Sequence, residues 1–196
     1  MESRKEIIDL ILLADKRLKQ ELDPDEKVEL ILVGGSALLI KGIINRATLD
    51  IDTYLINDNK IRNILKEYNI NDDAGRVMTI CSDFDDRLEK INLPLEKINL
   101  YTLSDYDLII SKIGSQRPKD FEDISNPKLL EKINFDKLEE LLKEAILDNP
   151  INERRAWSDF RLIKEIANKN KAKNNNKGNE LEWLHSQILL RNIKAA

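Results

Sequence analysis

Asp50 and Asp52 stand two positions apart in "LDIDTYLI", and Gly34, Gly35 and Ser36 precede them in the same stretch. Side chains on a strand alternate faces, so two acids at this spacing in an extended segment point the same way. Carboxylates held that close repel unless something positive sits between them, and a hard divalent cation is the usual occupant. The glycines suit the other half of such chemistry. A Gly-Gly turn leaving a strand lets backbone N–H groups approach a phosphate with no Cβ in the way, and a helix start beside it adds partial positive charge. Ser36 at that start can cap the helix and donate to a phosphate oxygen. Paired aspartates beside such a loop can hold one or two Mg²⁺ ions that bridge phosphates, activate a hydroxyl and stabilise a departing pyrophosphate. Arg46 and Thr48 lie between loop and acids, placed to contact a nucleotide or to clamp the loop.

The elements that must position these residues are legible in the apolar spacing. "ELILV" before the glycines and "IDTYLI" around the acids read as strands, with "SALLIKGI" a short helix between them. An amphipathic helix over residues 5–21 precedes them, and a helix from about Asp58 to Tyr68 follows. "VMTICSD", "DRLEKI" and "KINLYTL" read as three further strands. From Ser104, a capping residue with Asp107 three positions on, the pattern turns helical. "DKLEELLKEAILD", "NERRAWSDFRLIKEIANK" and "NELEWLHSQILLRN" carry apolar residues at spacings of three and four, and the polar run "NKNKAKNNNKGN" reads as a linker between the last two. The expected fold is α+β: a small mixed sheet flanked by helices, with a helical C-terminal part. Residues 1–125 form the core with its N-terminal helix, and residues 126–196 form the helical part packed on it.

Composition narrows the function classes. The chain has 196 residues, 41% apolar and 35% charged, which is a globular balance with a heavily charged surface. No apolar run approaches the roughly 20 residues of a membrane span, and the N-terminal stretch mixes charges through its apolar stripe, unlike a cleavable signal. A single cysteine, Cys81, excludes an internal disulfide, and together these features point to the cytoplasm and away from membranes. A net charge of −4 argues against broad coating of nucleic acid, though "SKIGSQRPKD" from Ser111 and "NKNKAKNNNKGN" from Asn168, the latter more simply a linker, are candidates for a local basic groove. Cys81 reads as a core residue, and Trp157 and Trp183 as helix-packing residues. His185 is the only histidine, so no histidine-based dyad can be argued.

The run "LVGGSALLIKGIINRATLDIDTYL" resembles the signature of the DNA polymerase β-type nucleotidyltransferase superfamily: a hydrophobic residue, Gly-Gly or Gly-Ser, a spacer, then Asp-hydrophobic-Asp. The arginine and threonine before the acids resemble its minimal bacterial and archaeal branch, which includes toxins of abortive-infection-type toxin–antitoxin systems. A second match lies in "DLIISKIGSQRPKDFEDI", where Lys112, Arg117, Lys119, Asp120 and Asp123 fall on that branch's pattern of a helical lysine, a basic stretch and two aspartates three apart. The resemblance implies Asp50 and Asp52 as Mg²⁺ ligands and catalytic groups. It implies Gly34, Gly35 and Ser36, with Arg46 and Arg117, as the binding set for the NTP, and Lys112 and Asp123 as completing the catalytic site.

One departure stands out. Many superfamily members carry a third metal-binding carboxylate on a neighbouring strand, and "KINLYTL" has none. Asp83, Asp85 and Asp86 fall at a turn and Glu96 precedes the strand, so either Asp123 completes the site from the helical side or metal binding is weaker than in a polymerase. The leading expectation is Mg²⁺-dependent transfer of a nucleotidyl group from an NTP to a hydroxyl, with RNA such as tRNA the favoured acceptor and a cognate antitoxin protein as partner. A small-molecule or protein acceptor, or a non-catalytic binding module of the same fold, stays open at this point.

Overall fold

Alternation builds the two longest strands. In β1 (Val28–Leu32) the side chains of Val28, Leu30 and Leu32 are buried, and in β5 (Ile98–Thr102) those of Ile98, Leu100 and Thr102 are. The computed structural model describes the backbone of residues 3–73 and 78–194, and the side chains of residues 3–73 and 78–173. In it β1 pairs with β5 in parallel, Leu30 opposite Leu100, and β4 (Glu89–Lys90) pairs antiparallel on the far edge of β5. On the other edge of β1 the chain returns antiparallel through a bridge between Leu32 and Thr53, where the Val33 N–H donates to the Asp52 carbonyl at 3.0 Å. That segment contains β2 (Ile51–Asp52), which pairs in parallel with β3 (Ile70–Asn71). The strands thus run β4-β5-β1-β2-β3 in one mixed array, with Asp52 next to the strand that leads into the glycines.

Helices cover this array. α1 (Arg4–Lys19) starts in a capping box, with the Ser3 hydroxyl accepting from the Glu6 N–H and the Glu6 carboxylate accepting from the Ser3 N–H. Its buried stripe is Ile7, Ile11, Ala14 and Leu18, at helical spacing. Asp15 on the same face is buried too, and its carboxylate accepts from the N–H groups of Glu96, Lys97 and Ile98 at 2.8–3.0 Å, which fastens the start of β5. α2 (Gly34–Ile40) follows β1, and α3 (Asn59–Lys66), capped by Asp58, follows β2. Beyond β5 come α4 (Asp105–Ile110), α5 (Pro118–Ile124), α6 (Pro127–Leu130), α7 (Phe135–Asp148) and α8 (Glu153–Lys194). Leu129, Leu138, Leu142, Ala156 and Ile163 of the later helices join the same buried cluster as Ile11, Leu30 and Leu100. The fold is α+β, a small mixed sheet flanked by helices with a helical C-terminal part.

Three local expectations are corrected. The segment 78–81 is not a strand: Asn149 at the end of α7 donates to the Ile80 carbonyl at 3.0 Å, and buried Cys81 packs with its thiol against the Leu141 carbonyl, so helix contacts take the place of a ladder. Val77 lies outside the described residues. "DRLEKI" is mostly a 3₁₀ turn, Phe84–Arg87, with only Glu89 and Lys90 paired. The expected linker from Asn168 is helical, part of the continuous α8. That run contains no proline, and polar residues cost only a few tenths of a kcal/mol each in a helix that packing has already nucleated. Unexpected was β3, hidden in "NINDD" because asparagines are poor strand formers. Asn69 reaches it through a left-handed turn (φ 60°) that ends the helical run. Trp157 packs edge-on to Phe160 at 5.7 Å, as helix packing requires, whereas the side chains of Trp183 and His185 lie outside the described residues. Among the described residues no helix is long and apolar enough to cross a membrane.

Candidate nucleotide cleft

The glycine loop and the acids are stitched together by backbone. Where β1 ends, Val33 stays extended and Gly34 turns left-handed at φ +58°. A Cβ on Gly34 would sit 3.2 Å from the Asp52 Oδ2, and one on Gly35 would sit 2.9 Å from the Thr48 Cγ2, so only glycines allow the loop to lie this close to the acid-bearing segment. The Asp52 carbonyl accepts from Val33 N–H and from the Ser36 hydroxyl at 3.0 Å. Ser36 also reaches the Val33 carbonyl at 2.8 Å and is fully buried, so its side chain ties the loop to β2 from beneath.

Asp52 is half-buried, and its carboxyl is pushed up to about 6, first by burial and then by the neighbouring charge of Asp50; Asp73 adds to this, while Lys112 and Arg117 oppose it. Asp50 precedes the strand, and its Oδ2 accepts from the Asn71 amide at 3.2 Å. The acids therefore form a pair whose mutual repulsion is incompletely offset.

The facing wall comes from α4, α5 and the turn between them. Ser104 caps α4, and its hydroxyl donates to Asp107, a fully buried acid gripped by Arg87 at 2.8 and 3.1 Å. This fixes the helix that ends just before Lys112. Lys112 is only 9% exposed, and its ammonium lies 2.7 Å from Asp120 and 3.0 Å from Asp123. Asp123, 1% exposed, also accepts both hydrogen bonds of the Arg46 guanidinium at 2.6 and 2.8 Å. Burial would raise Asp120, yet hydrogen bonds from Lys112 and Ser115 outweigh it and hold this carboxyl below the usual range. Arg117, the residue before Pro118 at the start of α5, is exposed.

A cleft of about 330 Å³ opens between these walls. Gly34, Gly35 and Asp52 line one side, Lys112, Ser115, Arg117 and Asp120 the other, and Pro150–Asn152 close one end. Of the residues singled out from sequence, Gly34, Gly35, Asp52, Lys112, Arg117 and Asp120 share this cleft, and Asp50 adjoins it through Asp52. Ser36 lies under the loop. Arg46 and Asp123 line a neighbouring depression of about 290 Å³ with Ile43, Ile44 and Asn126, and support Lys112 from behind. The sequence reading left out Asn71, Ser115 and the Pro150–Asn152 end. Asn71 hides in an unrecognised strand, and the others reach the cleft only through long-range packing.

Among the described residues no group of three or more His, Cys, Asp or Glu side chains gathers into a metal-binding cluster, so Asp50 and Asp52 remain a pair. Neither the curated proteins nor the solved structures contain a match to this chain. The profile of one family does match, over residues 10–177: a nucleotidyltransferase family of unknown function, DUF6036. That span includes both walls of the cleft and the start of α8, and the chain belongs to this nucleotidyltransferase family.

Proposed function

We propose that the cleft transfers a nucleotidyl group from an NTP to a hydroxyl acceptor, with Mg²⁺ held by Asp50 and Asp52. The observation that carries this reading is the pairing of opposites across one cleft: two repelling carboxylates beside a Cβ-free loop on one wall, Lys112 and Arg117 on the other. A divalent cation fits the acids because its charge would offset the burial and the Asp50 repulsion that together raise Asp52. When bound there, Mg²⁺ would neutralise triphosphate charge and make an acceptor hydroxyl easier to deprotonate. The chain's own residues do the rest. N–H groups of Gly34 and Gly35, in the first turn of α2 and so lacking intrahelical acceptors, can donate to phosphate oxygens. Lys112 offsets charge on the departing pyrophosphate, and exposed Arg117 contacts a nucleotide or acceptor phosphate. In the transfer the acceptor oxygen bonds to the α-phosphorus, the bond from that phosphorus to the bridging oxygen breaks, pyrophosphate leaves, and the hydroxyl proton goes to solvent or a carboxylate.

RNA such as tRNA is the favoured acceptor. Exposed Arg117 and Lys119 beside the cleft, and Arg154 and Arg155 beyond its Asn152 end, suit a phosphate backbone. The toxin role, with an antitoxin protein as partner, rests on the resemblance of the two sequence motifs. The test is incubation with each α-labelled NTP, Mg²⁺ and total RNA or lysate, followed by separation of labelled RNA from labelled protein and small molecules. Label in the RNA fraction supports this reading, while label only in protein or small molecules moves the acceptor to that class. A binding module draws on a different observation, the engagement of Lys112 by both Asp120 and Asp123. Nucleotide binding with no transfer to any fraction would favour it.

A further inference from the structure

A buried acid of α8, outside the nucleotide-facing walls, holds the turn that carries the cleft's cations. Asp159 is 8% exposed, and its Oδ2 accepts the Gly114 N–H at 2.9 Å. Among the described residues no ion pair includes Asp159, and the Gly114 N–H is the hydrogen-bond donor that reaches its carboxyl group. Gly114 sits at φ +78°, and a Cβ there would lie 3.3 Å from Ala156 Cβ, 3.3 Å from Ile151 Cγ1 and 3.4 Å from the Asn152 carbonyl. The turn and the helix thus meet backbone to side chain with no slack. Asn152, Ala156 and Asp159 recur at helical spacing, so one face of the start of α8 presses on this turn.

The turn is the part of the chain with most to lose from a shift. Ser111, Lys112, Ser115 and Arg117, on either side of Gly114, line the cleft. The Ser115 hydroxyl donates to Asp120 at 2.6 Å and accepts from the Arg117 N–H at 3.1 Å, which passes the position of Gly114 on to both cations. We infer that Asp159 is a positioning residue for nucleotide binding, through which the C-terminal helix sets where Lys112 and Arg117 stand against the triphosphate. The inference rests on the nucleotidyl-transfer reading of the cleft.

The test measures NTP affinity in the presence of Mg²⁺ by calorimetry on the full chain. Asp159→Ala, and Asp159→Leu as a second variant that keeps the branched shape and heavy-atom count while removing the acceptor, should each weaken NTP binding roughly tenfold or more, as loss of an outer-layer positioning partner does. Asp159→Asn, whose amide oxygen can still accept the Gly114 N–H, should recover most of the affinity. Glu165→Ala, which removes an equal charge from an exposed site further along α8, controls for electrostatics. In a Lys112→Ala/Arg117→Ala background the Asp159→Ala effect should vanish, because the groups it positions are gone. A merely structural acid would lower the melting temperature but leave NTP affinity unchanged in the folded fraction, or would add its full effect in that background, and either result overturns the inference. A wild-type chain that bound no NTP would overturn the nucleotide reading and this inference together, whereas wild-type binding unaltered by Asp159→Ala and Asp159→Leu would overturn the inference alone.

Discussion

The chain contains two aspartate pairs of nearly the same chemistry in opposite electrostatic states. On the sheet side, Asp50 and Asp52 face each other with an amide from Asn71 and no ion pair among the described residues, and Asp52 is raised to about 6. On the helical side, Asp120 and Asp123 are interleaved with Lys112 and Arg46 at 2.6–3.0 Å, and Asp120 is lowered. A carboxylate pair that its own fold neutralises is complete, and its geometry is set by the protein. One whose repulsion the fold leaves standing has room for a cation from outside. On the proposed function, this contrast divides the candidate residues into those that would meet the ligand and those that would hold the first group in place.

The sharpest way to break the contrast is to remove a member of the sheet-side pair. Asp50→Ala and Asp52→Ala should each reduce transfer on the order of 10³-fold or more while leaving the melting temperature of the metal-free chain unchanged or higher, because each deletion relieves repulsion. With Mg²⁺ and NTP the wild type should gain thermal stability that both variants lack. A folding defect without metal would show that the pair is structural. Asp123→Ala should behave in the opposite way, since it leaves buried Lys112 with Asp120 alone and Arg46 without its acceptor. Losing a buried acceptor shared by two cations costs about 1–3 kcal/mol, visible in chemical denaturation, and a variant as stable as wild type but inactive would put Asp123 among the reacting groups instead.

Lys112→Ala, which leaves Asp123 paired with Arg46, should cost less stability than Asp123→Ala and lower turnover on the order of 10²-fold, as loss of one preorganised charge does. Retained turnover would confine Lys112 to a structural role. Titration gives a subtler signature. Between Asp52's ordinary 3.8 and its raised value of about 6, the folded chain keeps a proton that the unfolded chain has lost. Stability from this group therefore falls as pH rises through that window, with the penalty absent below it and complete above it. The melting temperature of Asp52→Asn relative to wild type should accordingly climb between pH 4 and about 6, and a constant difference across that range would contradict the raised carboxyl. The smallest effect belongs to exposed Arg117. Arg117→Ala should raise KM several-fold with little change in kcat or melting temperature, as loss of binding shared by ground and transition state does.

Local pattern made much of this legible before any fold was known. The glycines after a strand, the acids at alternate positions and the lysine at the end of a capped helix depend on neighbours within a few residues, and backbone periodicity is enough to relate them. The α+β class and the helical C-terminal part followed for the same reason. What pattern could not supply was the partner of each charge. Nothing in the spacing distinguishes Asp123, closed off by Arg46 from 77 positions away, from Asp52, which has no such cation. Nor could it show that Ser36 turns beneath its loop, that β3 brings Asn71 beside Asp50, or that Asp159 grips Gly114 from a helix 45 positions on. Residue types and order determined which chemistry was available, because that is written in short-range periodicity. Tertiary structure alone decided which carboxylates are neutralised and which stay exposed to a ligand, because burial and ion pairing arise only when distant segments meet.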